Sequence, residues 1–169
     1  MTRTQTNQSE QNESTENGRF LTFALGEEEF GVDIGYVTEI ISMQPVFRLP
    51  EVPDYIRGIV NLRGKIIPVI DLRLKFKKEA AEDTERTCII VIDTGDLSVG
   101  LIVDKVAEVT SISNENISPP PNIRTSIRKN YIAGIGKGDD RIIILINCKS
   151  LFQDEEVNSI NEIKERVKS

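Results

Sequence analysis

The sequence contains a duplicated pattern of strand-forming residues, and this duplication restricts the possible folds more than any single motif does. Residues 26–40 match residues 95–109 at a constant spacing of 69 positions, and residues 55–76 match residues 131–152 at a spacing of 76. A period this long does not suit a solenoid or a propeller blade, so it indicates two copies of a small β unit. Chance similarity between Val- and Ile-rich strands is the alternative, and the gap-free register of the second block disfavours it. We expect a mainly β protein with two similar five-stranded barrels, in which curling of the sheet removes exposed edges.

The two ends of the chain differ from this β-rich centre. Residues 1–18 contain no apolar side chain after Met1 that could offset the entropy lost on ordering, so we expect a disordered polar tail. In residues 153–169, apolar side chains recur at steps of three and four, which predicts a C-terminal amphipathic helix.

A short helix is also expected after the second strand of the first unit. Asp33 can cap its start, and Tyr36, Val37 and Ile40 follow at helical spacing. Glu39 falls within the same segment.

Composition excludes several classes of function. The 169-residue chain has a formal net charge of −6, which opposes nucleic-acid binding because that affinity depends on clustered cations. It contains no His, so histidine-based catalysis is excluded, and we expect neither a metal nor a cofactor. Cys88 and Cys148 lie in or beside apolar runs and are expected to be reduced and buried. No apolar run has membrane-spanning length, so we expect a cytoplasmic protein that does not insert into membranes.

A predicted hairpin carries an arginine at its tip. Two β-branched runs flank the segment Asn61 to Gly64, and Gly64 can adopt the positive φ that closes the turn. No carboxylate is closer in sequence to Arg63 than Asp71, so the guanidinium is expected to be free. A solvated turn arginine and a partner-contacting arginine both remain open. The matching turn of the second unit carries Asp139, and this difference between the units favours a contact role.

Four stretches together resemble the CheW family of bacterial chemotaxis coupling proteins. They are Asn61-Leu62-Arg63-Gly64-Lys65-Ile66-Ile67-Pro68-Val69-Ile70-Asp71-Leu72, residues 30–34 followed by Val37 and Glu39, residues 99–104, and residues 131–134. Their occurrence together in this order is more specific than any one of them, and the resemblance extends from Arg19 to Phe152.

This resemblance implies a fold and a function. Residues 19–152 would form a CheW-like domain of two SH3-like five-stranded barrels, one over about 19–76 and one over about 86–152, with strand exchange between them left open. The protein would be a non-enzymatic adaptor between the regulatory domain of the histidine kinase CheA and the cytoplasmic helical hairpin of chemoreceptors. The alternatives are a coupling protein of a related system, such as one that controls twitching motility, and a small-molecule-binding barrel.

The resemblance also implies a set of partner-binding positions: Val37, Glu39, Gly58, Arg63, Gly64 and Gly100. The three glycines match family positions where a side chain would disturb the backbone, which is also the role of ordinary turn and bulge glycines. Val37 can equally belong to the core. Glu39 has a counterpart in Glu108, which weakens the case that it is specific to binding.

Overall fold

The computed structural model describes residues 18–79, 81–95, 97–120 and 129–151. Within these ranges the strands are β1 (Arg19–Leu25), β2 (Glu28–Asp33), β3 (Val37–Ser42), β4 (Ile56–Leu62), β5 (Lys65–Asp71), β6 (Cys88–Asp93), β7 (Ser98–Val103), β8 (Lys105–Ser111), β9 (Ile117–Ser118), β10 (Ile132–Gly138) and β11 (Arg141–Ile146). The α-helices are α1 (Leu72–Lys75) and α2 (Cys148–Leu151), and 3₁₀ turns span Ile34–Tyr36, Asn114–Asn116 and Lys129–Tyr131. The prediction of a mainly β fold is confirmed.

The strands form two sheets, and each sheet mixes the two halves of the chain. The six-stranded sheet has the order β8-β1-β2-β11-β10-β9, and the five-stranded sheet has the order β3-β6-β7-β5-β4. Hairpin β1–β2 therefore pairs with strands of the second half, and hairpin β6–β7 pairs with strands of the first half. The two segments expected to form one barrel each, residues 19–76 and 86–152, therefore exchange strands, and each sheet contains strands from both.

The largest core lies between the two sheets, and a smaller apolar cluster covers the opposite face of each sheet. Strand β6 shows this arrangement directly. Ile90 and Ile92 belong to the core between the sheets, whereas Ile89 and Val91 belong to the cluster behind the five-stranded sheet. Because successive side chains of a strand point to opposite faces, a strand buried on both faces needs a continuous apolar run.

Equivalent details in the two halves are consistent with the duplication. The Asp71 amide donates to the Tyr55 carbonyl at 2.7 Å, and the Asn147 amide donates to the Tyr131 carbonyl at 2.8 Å. Asp71 then caps α1 through its side chain, and the Asn147 side chain accepts from the Ser150 amide in α2. Strands β4 and β10 carry β-bulges at matching positions. The same local sequence therefore produces the same local structure twice.

The predicted helix after the second strand is shorter than its periodicity indicated. Asp33 accepts a hydrogen bond from the Gly35 amide at 2.8 Å and caps the turn Ile34–Tyr36, but Val37 already lies in β3. Most residues that follow are β-branched, and their restricted χ1 angles favour extended backbone, so placing Val37 and Glu39 on a helix was wrong. The predicted tail, except Gly18, and the predicted helix over residues 153–169 lie outside the described residues.

No helix in the described part of the chain is both long and apolar enough to cross a membrane.

Candidate functional site

Arg63 lies at the tip of the β4–β5 hairpin, in a two-residue turn. Leu62 and Lys65 form the last pair of the ladder, and both turn residues have positive φ, 54° at Arg63 and 88° at Gly64. Two consecutive residues of this kind match the twist of the flanking strands. The Asn61 side-chain oxygen accepts a hydrogen bond from the Gly64 amide at 2.8 Å and fixes the turn.

The Arg63 guanidinium is not free, because it forms an ion pair with Glu39. Sequence distance concealed this partner: Glu39 lies on β3, at the opposite end of the five-stranded sheet from β4. The ion pair connects these two ends, as expected for a curled sheet. The Arg63 side chain is still 68% exposed and that of Glu39 is 33% exposed, so both charges are accessible to a partner.

Val37 and Glu39 lie on the edge strand β3 at a β-bulge. Val37 pairs with Ile92 and Glu39 pairs with Val91, which leaves Thr38 as the extra residue. The Thr38 hydroxyl donates to the Val91 carbonyl at 3.1 Å and holds the bulge. Val37 packs against the core between the sheets, which supports its structural reading, whereas Glu39 reaches the hairpin tip.

Two of the three predicted glycines serve close packing of the backbone. A Cβ at Gly58 would lie 2.3 Å from the Phe47 carbonyl oxygen, and one at Gly100 would lie 2.6 Å from the Ile89 Cγ2 atom. At Gly64 a Cβ would meet nothing within 4 Å, so only its positive φ favours glycine there. The structure therefore brings together Arg63, Gly64 and Glu39, and places Gly58 and Gly100 in supporting packing.

Sequence reasoning missed a buried ion network centred on Arg73. Its guanidinium, 2% exposed, lies 2.9 Å from Asp71, 3.2 Å from Asp83 and 3.2 Å from Asp104. Burial opposes the charged form, but hydrogen bonds and attraction from these carboxylates outweigh it and raise the pKa of Arg73. An Asp-x-Arg sequence at the end of an apolar strand was the only local signal.

The network also holds the connector between the two halves of the chain. Asp83, in the charged segment after α1, accepts hydrogen bonds from Arg57 at 3.4 Å and from Arg73 at 3.2 Å. Burial favours the neutral carboxyl, but these two guanidinium groups outweigh it and lower the pKa of Asp83. An exposed connector is therefore attached to a buried cation.

A cavity of about 490 Å³ lies where the two sheets meet. It is lined by Arg86 and Cys88 at the start of β6, and by Lys105, Val106 and Ala107 at the start of β8. The Cys88 thiol is half-buried, and burial raises its pKa. Cys148 is fully buried, and burial together with the charge of Asp33 raises the pKa of its thiol to about 12.

Neither Cys88 nor Cys148 is in a disulfide. Among the residues that the structure describes, no cluster of three or more His, Cys, Asp or Glu side chains is arranged to hold a metal ion.

Comparison with known proteins gives a consistent family. The profile of the CheW-like domain matches residues 19–156. The chain is 39% identical to the chemotaxis protein CheW of Klebsiella aerogenes, over 85% of this chain and 87% of that protein. It is 29% identical to protein FrzA of Myxococcus xanthus, over 79% of this chain and 84% of that protein. The crystal structure of the scaffolding protein TtCheW from Thermoanaerobacter tengcongensis is similar with a TM-score of 0.77 and 39% identity, covering 83% of this chain and 95% of that one.

Proposed function

The chain belongs to the CheW-like domain family, whose matched members include chemotaxis scaffold proteins, and we propose that it couples chemoreceptors to the histidine kinase CheA without catalysing a reaction. The observation that carries this proposal is the family match over residues 19–156, combined with the exposed Arg63–Glu39 pair on the hairpin that bears the family motif. In this role the protein resides in the cytoplasm and is recruited to membrane-bound receptor arrays.

The proposed receptor contact uses the junction of the two sheets. A helix of the receptor's cytoplasmic hairpin would place an apolar stripe in the groove at this junction, in the manner of other helix-in-groove interactions. Arg63 would engage a carboxylate or a backbone carbonyl at the rim, where a charged hydrogen bond adds specificity. The ion pair with Glu39 supports this role, because a carboxylate of the receptor can replace the accessible Glu39 carboxylate at the Arg63 guanidinium.

The proposed kinase contact is of a different kind. The regulatory domain of CheA would pack one of its barrels against a barrel of this protein through exposed apolar residues at strand ends. Each contact is modest when isolated. Assembly in an array raises the effective concentration of the partners and strengthens binding without any new contact.

A second candidate function is coupling in a related chemosensory system, built on the same fold with another receptor and kinase. The match to FrzA supports this alternative. Binding assays with both sets of partners separate the two cases, because affinity for one set would exceed that for the other.

The direct test is a titration of isotope-labelled protein with a fragment of a chemoreceptor hairpin tip and, separately, with the regulatory domain of CheA. We expect backbone resonances to shift on two distinct surfaces. The receptor fragment should perturb Arg63 and the groove between the sheets, and the kinase domain should perturb a different set of residues. An unchanged spectrum with both partners would contradict the coupling function.

A further inference from the structure

The groove at the junction of the sheets carries two positive charges and no negative one among its described lining residues. Arg86, just before β6, and Lys105, at the start of β8, line the cavity together with Cys88, Val106 and Ala107. Over the whole chain, acidic residues outnumber basic ones, 27 to 21. The local charge of the groove is therefore opposite to that of the whole molecule.

Neither cation has a carboxylate partner within the ranges that the structure describes. The arginines that do form ion pairs there are Arg57, Arg63, Arg73 and Arg141. Arg86 and Lys105 are both exposed, and both remain available to an anionic group. Two unpaired cations that line one cavity favour a partner that supplies negative charge.

Both cations are carried by ordered backbone. The Thr84 amide donates to the Thr87 hydroxyl at 2.8 Å, and the Arg86 amide donates to the Thr84 hydroxyl at 3.1 Å. Thr87 is buried, so this turn is anchored next to the cavity. Lys105 is paired in the ladder with Ala24 of β1. Because the backbone that carries both cations is already ordered, binding requires their side chains to become ordered but no loop.

The other described lining residues of the cavity are Cys88, Val106 and Ala107, whose side chains are largely apolar. Cys88 at the start of β6 is half-buried and lines the cavity together with Val106 of β8. Val106 packs on the core between the sheets, and the exposed Ala107 contributes a methyl group to the cavity lining. An apolar strip with a cation at its margin complements a helix whose apolar stripe is bordered by carboxylates.

We propose that Arg86 and Lys105 select, for this groove, an amphipathic receptor helix that carries Asp or Glu beside its apolar stripe. The inference rests on the proposed receptor contact and adds the chemistry that decides which helices bind. In this proposal Arg63 contacts the receptor from the tip of the β4–β5 hairpin, whereas Arg86 and Lys105 contact it at the junction of the sheets.

The test is a calorimetric titration of the full chain with a chemoreceptor hairpin-tip fragment at low and high ionic strength. The double variant Arg86→Gln, Lys105→Gln should bind about tenfold more weakly at low salt, and its affinity should depend less on salt than that of the wild type. The control variant Lys137→Gln removes an exposed charge from β10 that is not among the described lining residues of the cavity, and should bind as the wild type does. Because both cations are exposed, circular dichroism and the melting temperature should be unchanged in all variants.

A charge swap gives a second, independent readout. The variant Arg86→Glu, Lys105→Glu should lose binding to the wild-type fragment and regain it with a fragment in which carboxylates beside the apolar stripe are replaced by Lys. If the double Gln variant binds the fragment with the same affinity and the same salt dependence as the wild type, the inference is overturned. The proposed receptor contact would still stand. Absence of binding by the wild type at any ionic strength would instead overturn the proposed function.

Discussion

At the scale of single residues, the side chains at the hairpin tip are accessible to partners and contribute little to the stability of the fold. Arg63 and Glu39 form an accessible ion pair, and exposed pairs of this kind contribute about 0–1 kcal/mol to folding. Removing this ion pair should therefore change the free energy of unfolding only slightly. By contrast, Gly58 and Gly100 are required by packing, since added methyl groups would overlap neighbouring atoms. Substitutions at these four family positions thus fall into two physical classes.

Arg63→Ala should weaken capture of the receptor fragment or the kinase domain, while the melting temperature changes by no more than a few degrees. The reason is that the side chain offers a charged contact to partners and only a surface ion pair to the fold. Binding can be measured by pull-down and calorimetry, and stability by a thermal scan. Lys137→Ala serves as the matched control and should bind both partners as the wild type does, because it removes an exposed cation that is not among the six family positions. Arg63→Ala protein that binds both partners at wild-type affinity would contradict a contact role.

At the scale of elements, the connector after α1 is fixed by electrostatics. Its residue Asp83 joins Arg57 of β4 to the buried Arg73, which also contacts Asp104 after β7. Asp104 in turn accepts a hydrogen bond from the Gly26 amide in the β1–β2 turn. The connector and both hairpins that exchange between sheets therefore meet at one network.

Asp83→Asn should lower the stability of the protein at pH 7 and have a smaller effect in acid. The folded-state pKa of Asp83 lies below its ordinary value of 3.8, so the carboxylate stabilises the fold above that pH and this contribution is lost as the pH falls below it. Urea unfolding of the wild type and the variant at pH 7 and near pH 3 measures the difference. A gap between the two proteins that is equal at both pH values would show that Asp83 does not act through its charge.

At the scale of the whole molecule, strand exchange makes the two sheets depend on each other. Each sheet contains a hairpin from the other half of the chain, and both sheets share the core between them. Neither half can complete its own hydrogen-bond ladders. The junction between the sheets, where the receptor groove is proposed, is therefore built from both halves of the chain.

The protein should consequently unfold in one cooperative transition. Leu101→Ala in the shared core and Ile67→Ala behind the five-stranded sheet should each cost about 2–5 kcal/mol and shift the same transition. Far-ultraviolet circular dichroism and tyrosine fluorescence, recorded against urea, should report coincident curves for the wild type and both variants. Two separate transitions, each sensitive to only one of the substitutions, would contradict the interdependence.

The local features of this protein follow from short-range patterns in its sequence. Alternating apolar residues, turn glycines and the constant spacing of the repeat specify the hairpins, the mainly β class and the position of Arg63, because these depend on neighbours in the chain. Tertiary structure alone decided which hairpin joins which sheet, that Glu39 meets Arg63, and that Arg73 is buried among carboxylates. These outcomes depend on contacts between distant segments, and the two nearly equivalent halves present the same edges for pairing. Local pattern therefore could not distinguish pairing within a half from pairing between halves.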